Sequence, residues 1–273
     1  MKIGVSMSTC QFEFGPVVFG SGEIEENLKV LSDIGIDGVD LFCDEKSDRD
    51  IDKIRELFLS YEIEIPMYIP FFLNRIKLNL SHPDPEVRMN FLNIYKKQID
   101  AAKRIGAKKM PVGFIRGEMA GGQEYKAYCN RLADSLQVLG EYGASRNVTL
   151  CIEPINRYEI NVMNRVDQCV EFLEGYRLQY IKLLLDAFHM NIEDVSIEKA
   201  IRMAGDKLAH FHASDSNRLN PGAGHIDYHG LIETLKSVEY DGYLVMECFP
   251  GPSPHEVAKN GFEYLKKIIG TEG

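Results

Sequence analysis

The sequence predicts one domain, residues 1–273, folded as a parallel (β/α)8 barrel. Short apolar runs alternate with segments of helical spacing along the whole chain, without a low-complexity linker. The alternation gives eight strand–helix units of roughly 34 residues each. Four successive runs in the second half end near a carboxylate or an imidazole, and a barrel brings all its strand ends around one mouth. An open doubly wound sheet is the alternative topology.

Four strand–helix units are predicted in the first half, with the strands KIGVSMS, GVDLFC, EIPMYIP and KKMPVGF. The first helix runs from about Gly22 to Gly35, because glycine readily adopts the left-handed backbone that ends a helix. The second helix spans about 50–61. The third opens in a segment rich in Pro and Asp and spans about 81–106. The fourth begins near Tyr125, where apolar residues follow helical spacing.

The second half repeats the scheme. Its predicted strands are VTLCIEP, IKLLLDAFH, LAHFHASD and YLVMECF. Each run is bounded by polar or glycine-rich residues, as expected for strands buried on both faces. The helices that follow them are predicted to begin near Asn164, Ser196, His229 and Ser253.

Composition excludes several classes of partner. The net charge is −10, with 31 Lys and Arg against 41 Asp and Glu, which disfavours a nucleic-acid backbone. No apolar run approaches the roughly 20 residues of a membrane-spanning helix. No glycine-rich nucleotide motif is present. The six cysteines lack paired zinc spacing and are expected to be free thiols in the cytoplasm.

Four of the second-half runs, CIEP, LLLD, HFHA and LVME, each carry one side chain that can bind a metal. An isolated carboxylate inside a buried strand costs several kcal/mol, so such a charge has to be paired or coordinated. The four residues recur at intervals of roughly 26 to 35, about one strand–helix unit. They are Glu153, Asp186, His212 and Glu247.

The donor types predict the metal and its chemistry. Three carboxylates with one imidazole suit Mn2+, Co2+ or Mg2+ better than a structural zinc, and Mn2+ is the expected cofactor. Such a cation polarises a carbonyl and stabilises the enediolate left when an adjacent proton departs. Glu153 or Glu247 would be the base. Pairing of these glutamates with barrel arginines is the competing interpretation, and it leaves Asp186 and His212 unexplained.

Side chains near these strands fit a polyol substrate. Glu159 offers an acceptor, His189 a switchable donor and Arg218 a fixed fork of donors. Phe249 is placed to cover an apolar side of the ligand. A purely structural His189 and an ion pair between Arg218 and Asp215 are the alternatives. One further histidine, in the same strand as the predicted metal ligand, is expected to support the site rather than bind the metal: His210.

The segments EPINRYE, LLLDAFH, HFHASDSNRLNPGAGHIDY and VMECF together resemble the xylose-isomerase-like TIM-barrel superfamily, most closely its D-tagatose and D-allulose 3-epimerase branch. The resemblance implies that the four candidate ligands bind a divalent metal. It also implies that Glu153 and Glu247 lie on opposite faces of the substrate's C3. One glutamate removes a proton and the other returns it, through a cis-enediolate. The residues that would hold O1 to O3 are Glu159, His189 and Arg218.

The expected function is therefore a metal-dependent 3-epimerase of a free ketohexose or ketopentose, assembled as a homodimer or homotetramer. The alternative is a sugar or hydroxypyruvate-type isomerase, or an inosose isomerase or dehydratase, on the same scaffold, because EPIN also occurs in such chains. NRYE and SNRLNPG favour the epimerase. A DNA-repair nuclease of the same superfamily would need more histidine ligands and a basic groove, which seven histidines and a charge of −10 disfavour.

The sequence departs from the epimerase pattern in two places. It contains no Trp, although sugar-binding members often place tryptophan over the distal carbons of the substrate. Cys248 follows the last glutamate, where many epimerases have proline. The distal pocket is therefore expected to use Phe249 and aromatic residues of early loops, namely Phe12, Phe14 or Phe114.

Overall fold

A computed structural model describes residues 1–11, 15–44, 50–76, 78–122 and 124–270. Within these ranges the chain forms eight parallel strands that alternate with helices. The strands are β1 (Lys2–Ser8), β2 (Gly38–Cys43), β3 (Tyr68–Pro70), β4 (Lys109–Val112), β5 (Thr149–Ile152), β6 (Ile181–Asp186), β7 (Leu208–His212) and β8 (Tyr243–Met246).

The strands form one sheet that nearly closes into a barrel. Their order is β3-β2-β1-β8-β7-β6-β5-β4. The two end strands, β3 and β4, meet through an isolated parallel bridge between Met67 and Lys109, and this seam closes the circle. The predicted (β/α)8 barrel is thus confirmed, and the alternative topology, an open doubly wound sheet, is not observed. Because every strand runs in the same direction, the carboxyl ends of all eight open at one mouth.

Each predicted helix is present, and the described residues contain one more. This additional helix begins after Asp186, whose side chain accepts a hydrogen bond from the Phe188 backbone N–H at 2.8 Å and so caps the helix start. The residues AFH, predicted to extend the sixth strand, therefore begin a helix instead. The helices are α1 (Ile24–Ile34), α2 (Ile51–Ser60), α3 (Pro85–Ile105), α4 (Tyr125–Ala144), α5 (Val166–Gly175), α6 (Ala187–Glu193), α7 (Ile197–Ala204), α8 (Tyr228–Ser237) and α9 (Pro254–Gly270).

Local sequence signals set the ends of these helices. Gly35 and Gly106 end α1 and α3 with φ angles of 94° and 97°, in the left-handed region that favours glycine. Asp84 caps the start of α3 by accepting from the Glu86 backbone N–H, and Pro85 occupies the first helical position. These boundaries agree with the predicted ones because each depends on a few neighbouring residues.

The described residues contain neither a disulfide nor a helix that could span a membrane. All six cysteines lie in the described residues and none is in a disulfide, and every one except the half-buried Cys10 is buried. Burial raises the pKa of Cys151, Cys169 and Cys248 to about 12, so these thiols stay protonated. None of the described helices is long and apolar enough to cross a membrane.

Asp194, just after α6, gives the fold a pH dependence. Burial raises its pKa from 3.8 to about 6, and its Oδ2 has no hydrogen-bond partner among the described residues. A carboxyl whose pKa is higher in the fold stabilises the fold at low pH, and this contribution disappears as the pH rises through about 6. At pH 8 the ionised carboxylate therefore destabilises the protein.

We expect Asp194→Asn to raise the free energy of unfolding at pH 8 by about 1 to 2 kcal/mol, after allowance for the exposed part of the side chain. The gain should shrink to a small fraction at pH 4, where the wild-type carboxyl is protonated in the fold. Denaturant unfolding at the two pH values measures it. Asp134→Asn, an exposed change on α4, is the control. Equal stability of Asp194→Asn and wild type at pH 8 would contradict the argument.

Candidate functional site

Four consecutive strands bring the predicted ligands together at the carboxyl mouth. Asp186 and His212 are the last residues of β6 and β7, whereas Glu153 and Glu247 directly follow β5 and β8. All four are buried, and one ligand atom from each lies within 4.8 Å of all the others. His212 is central. Its Nδ1 lies 3.4 Å from Glu247 Oε2 and 3.8 Å from both Glu153 Oε1 and Asp186 Oδ2.

Arg218, on the loop after β7, supplies a positive charge to this carboxylate cluster. Its Nη1 donates to Asp186 Oδ2 at 2.5 Å and to Ser214 Oγ at 3.1 Å, and its Nη2 donates to Glu247 Oε2. The arginine is 5% exposed, so these bonds are shielded from solvent. The guanidinium also lines the cavity above the cluster. The alternative pairing of Arg218 with the Asp215 carboxylate is not observed.

Burial and neighbouring charges shift the pKa values of Glu153, Asp186 and His212. Burial and the nearby carboxylates of Glu247 and Asp186 together raise the pKa of Glu153 to about 8, although His212 acts to lower it. Burial also acts to raise the pKa of Asp186, but Arg218, His189 and His212 together outweigh it and the pKa is lowered. For His212, burial disfavours the imidazolium, yet Glu247 and its neighbours raise the pKa well above the usual value.

The four residues fit a divalent metal. Nδ1 of His212 is buried and has no hydrogen-bond partner among the described residues, although it faces all three carboxylates. When the ring of His212 is neutral, a lone pair on this nitrogen and one oxygen from each carboxylate form a mixed donor set of the kind that Mn2+, Co2+ or Mg2+ accepts. The cluster contains no thiolate, so it differs from a structural zinc site.

A cavity opens directly above the cluster, and the predicted substrate residues Glu159 and His189 line it. His189 is 4% exposed, and its Nε2 lies 4.0 Å from Glu153 Oε1. Asn156 joins the two, because its Nδ2 is 2.8 Å from His189 Nδ1 and donates to Glu159 Oε1 at 2.7 Å. Burial lowers the pKa of His189, which favours the neutral ring.

The opposite wall of the cavity is apolar. It is built from the loop after β1, the ends of β2, β3 and β4, and the loops that follow these three strands. Phe249 is 44% exposed and is not among the residues that line this cavity, because it lies on the outward loop beyond β8. Phe12 and Phe14 lie outside the described residues, whereas Phe114 is part of the wall. The other residues of the wall include Pro16, Phe42, Ile69, Phe71 and the polar Asn74.

Two buried charged residues near the site were not predicted from the sequence. Asp40, in the middle of β2, lies within hydrogen-bond distance of His210 and His212. Arg116 donates to the backbone oxygen of Glu153 at 2.7 Å and to the backbone oxygens of Gly113, Val162 and Met163. A carboxylate inside the apolar run GVDLFC was a usable signal for Asp40. Arg116 lies in a loop, where no periodic pattern marks a buried charge.

A parallel barrel with carboxylates and an imidazole at the ends of four consecutive strands defines a class of TIM barrels whose mouth can hold a divalent cation. The chain belongs to the xylose isomerase-like TIM barrel family, whose model matches residues 28–268. This match covers strands β2 to β8 and the whole ligand cluster.

Two individual proteins that are similar in sequence to this chain are both named epimerases. The chain is 34% identical over 179 residues to a D-psicose 3-epimerase of Ruminiclostridium cellulolyticum, covering 63% of this chain and 59% of that protein. It is 29% identical over 169 residues to a 3-dehydro-D-guloside 4-epimerase of Escherichia coli, covering 59% and 64%. The matched segment thus spans about three fifths of each relative's length.

Solved structures extend the likeness of the fold to nearly the whole chain. A D-psicose 3-epimerase with D-tagatose, from Clostridium cellulolyticum, superposes with a TM-score of 0.83. The match covers 99% of this chain and 100% of that one at 22% sequence identity. At this identity the superposition shows a shared fold.

Proposed function

We propose that the protein is a metal-dependent ketose 3-epimerase that inverts C3 of a free ketohexose or ketopentose. The observation that carries the proposal is the position of two buried glutamates, Glu153 and Glu247, in one ligand cluster beneath the cavity. They come from β5 and β8, which are separated in the sheet by β6 and β7. Inversion at carbon needs one acid–base group on each face of the substrate, and this pair can provide it.

In the proposed reaction, one glutamate removes the C3 proton to give a cis-enediolate, and the other delivers a proton to the opposite face. Glu159, His189 and Arg218 bind the substrate oxygens O1 to O3 and fix its orientation. A cation held by Glu153, Asp186, His212 and Glu247 would polarise the substrate carbonyl. The apolar wall excludes water, which strengthens the electrostatic interactions within the cavity.

Mn2+ is the proposed metal, with Co2+ or Mg2+ as alternatives. The donor set supports a cation that prefers oxygen and tolerates one imidazole. We further propose that residues 1–273 form one domain that assembles as a homodimer or homotetramer in the cytoplasm. Size-exclusion chromatography with light scattering tests the assembly, and a monomer at micromolar concentration would contradict it.

A second candidate concerns the carbon that reacts. The E. coli relative is named a 3-dehydro-D-guloside 4-epimerase, so a protein similar to this chain is named for inversion at a carbon other than C3. An aldose–ketose or hydroxypyruvate-type isomerase, or an inosose isomerase or dehydratase, would use the same cluster to move a proton between neighbouring carbons or to expel water.

The proposed function is tested by incubating the Mn2+-loaded protein with a panel of ketoses in D2O and following the products by NMR. We expect deuterium at C3 together with the inverted C3 epimer, because the transferred proton exchanges with solvent on the glutamates. Deuterium at C1 or C2 with an aldose product would instead establish the isomerase. A 3-dehydro glycoside in the same panel reports on inversion at C4.

A further inference from the structure

Beneath the ligand cluster lies a second group of buried polar side chains. Asp40 on β2 meets His210 and His212 on β7, and all three are at most 1% exposed. Both imidazoles approach the same carboxylate oxygen. His210 Nε2 lies 2.6 Å from Asp40 Oδ2, and His212 Nε2 lies 3.1 Å from it. This Asp40 group shares His212 with the ligand cluster above.

The contact with Asp40 decides which nitrogen of His212 carries a proton. Oδ2 of Asp40 lies within hydrogen-bond distance of the Nε2 atoms of both His210 and His212. A carboxylate only accepts hydrogen bonds, so the Nε2 atom that faces it must be the N–H. In a neutral ring the lone pair is then on Nδ1, the atom that points toward Glu153, Asp186 and Glu247.

We propose that Asp40 is a positioning residue for the metal: it fixes the tautomer and the ring orientation of His212, so that Nδ1 is ready to bind the cation. This inference rests on the proposed metal site. A carboxylate behind a metal-binding histidine raises the basicity of the ligand and holds its plane. Asp40 can do so from across the barrel, because β2 and β7 are separated in the sheet by β1 and β8.

His210 holds Asp40 in turn. Its ring stands edge-on to that of His212, with the ring centroids 5.5 Å apart at an interplanar angle of 85°. This arrangement lets both Nε2 atoms reach the same oxygen from different directions. The second donor limits rotation of the carboxylate, so that Oδ2 remains opposite His212. His210 therefore acts on His212 through Asp40 as well as by direct ring contact.

A second metal held by Asp40, His210 and His212 is the competing explanation for this cluster. The distances disfavour it. Two ligands of a tetrahedral ion at bond lengths of about 2.1 Å lie on the order of 3.4 Å apart. The 2.6 Å between His210 Nε2 and Asp40 Oδ2 is instead a hydrogen-bond distance. The proposal accordingly requires one metal ion per chain.

Mn2+ titration of Asp40→Asn, followed by the electron paramagnetic resonance signal of free Mn2+, tests the proposal without any sugar. We expect the Kd to rise about 10- to 100-fold, because the amide is neutral and its NH2 group can face the ring. His210→Gln should have a smaller effect, since the bond between Asp40 and His212 remains. Glu193→Gln is the matched control: it removes a buried carboxylate that pairs with Arg157, away from the cluster, and should leave the Kd unchanged.

An unchanged Kd in folded Asp40→Asn would overturn the proposal, and so would two Mn2+ ions per wild-type chain. A wild-type chain that binds no Mn2+ would defeat the proposed function itself and the inference with it. A second measurement needs no variant. Long-range nitrogen-15 NMR of wild-type histidines, with Mg2+ bound, should show His212 protonated at Nε2 and unprotonated at Nδ1. The opposite tautomer would also overturn the proposal.

Discussion

Replacement of either Glu153 or Glu247 by glutamine is expected to lower kcat by about 10²- to 10⁴-fold, the usual contribution of a positioned acid–base group. Glutamine keeps the shape of the side chain and its carbonyl oxygen, but it cannot take up or deliver the proton. The fold should persist, because either change removes one of three mutually repelling carboxylates from a buried cluster. Circular dichroism and initial rates of epimer formation measure the two effects.

The two variants should also differ in a way that only a two-base mechanism explains. Each retains one glutamate, so each should still exchange the C3 proton of one epimer with D2O without inverting the carbon. The variants should select opposite epimers. Glu171→Gln, an exposed change on α5, is the matched control and should leave kcat unaltered. Turnover within about threefold of wild type in either site variant, well outside the range for acid–base catalysis, would exclude the mechanism.

Removal of the metal is expected to have the second large effect. Treatment with EDTA should reduce epimerisation to background, and Mn2+ should restore it, because the substrate carbonyl is no longer polarised without a cation. Bound metal should also stabilise the fold. A ligand present at 100 times its Kd adds about 2.7 kcal/mol, which for a chain of this size corresponds to a Tm increase of roughly 5 to 10 °C.

Differential scanning calorimetry with EDTA, Mn2+, Co2+ and Mg2+ measures this stabilisation and ranks the metals. The variant Asp186→Asn removes a candidate metal ligand that has no proposed part in proton transfer. It should lose most of the Tm increase, which would link the increase to metal binding at this cluster. Activity and Tm that are both indifferent to EDTA and to added metal would reject the metal site. Restoration by several metals would leave the site intact and widen the choice of cofactor.

The ligand cluster was predictable from sequence because its signal is local. Each ligand ends or directly follows an apolar run, and the rule that parallel strands share a mouth brings the four together. The same logic explains the one local error. The run IKLLLDAFH is apolar beyond Asp186, so periodicity alone extends the strand, whereas the hydrogen bond from the Phe188 N–H to Asp186 starts a helix.

The support around the cluster was not predictable in the same way. Asp40 and His210 are 170 residues apart in sequence, and the contact between them depends on how the barrel brings β2 opposite β7. A rule for charges in apolar runs would mark Asp40 but would not name its partner. Arg116 binds backbone oxygens from three segments, and backbone oxygens carry no residue type that a sequence pattern can reveal.

The apolar wall of the cavity and the ligand cluster lie on different parts of the barrel, and the wall lies beside the seam between β3 and β4. The isolated bridge between Met67 and Lys109 is where the strand ladder is thinnest, and Phe71 and Phe114 of the apolar wall follow the two strands that meet there. The ligand cluster lies on β5 to β8, within continuous strand pairing. A change in the shape of the wall would thus disturb few main-chain hydrogen bonds and leave the strand pairing that holds the ligand cluster in place.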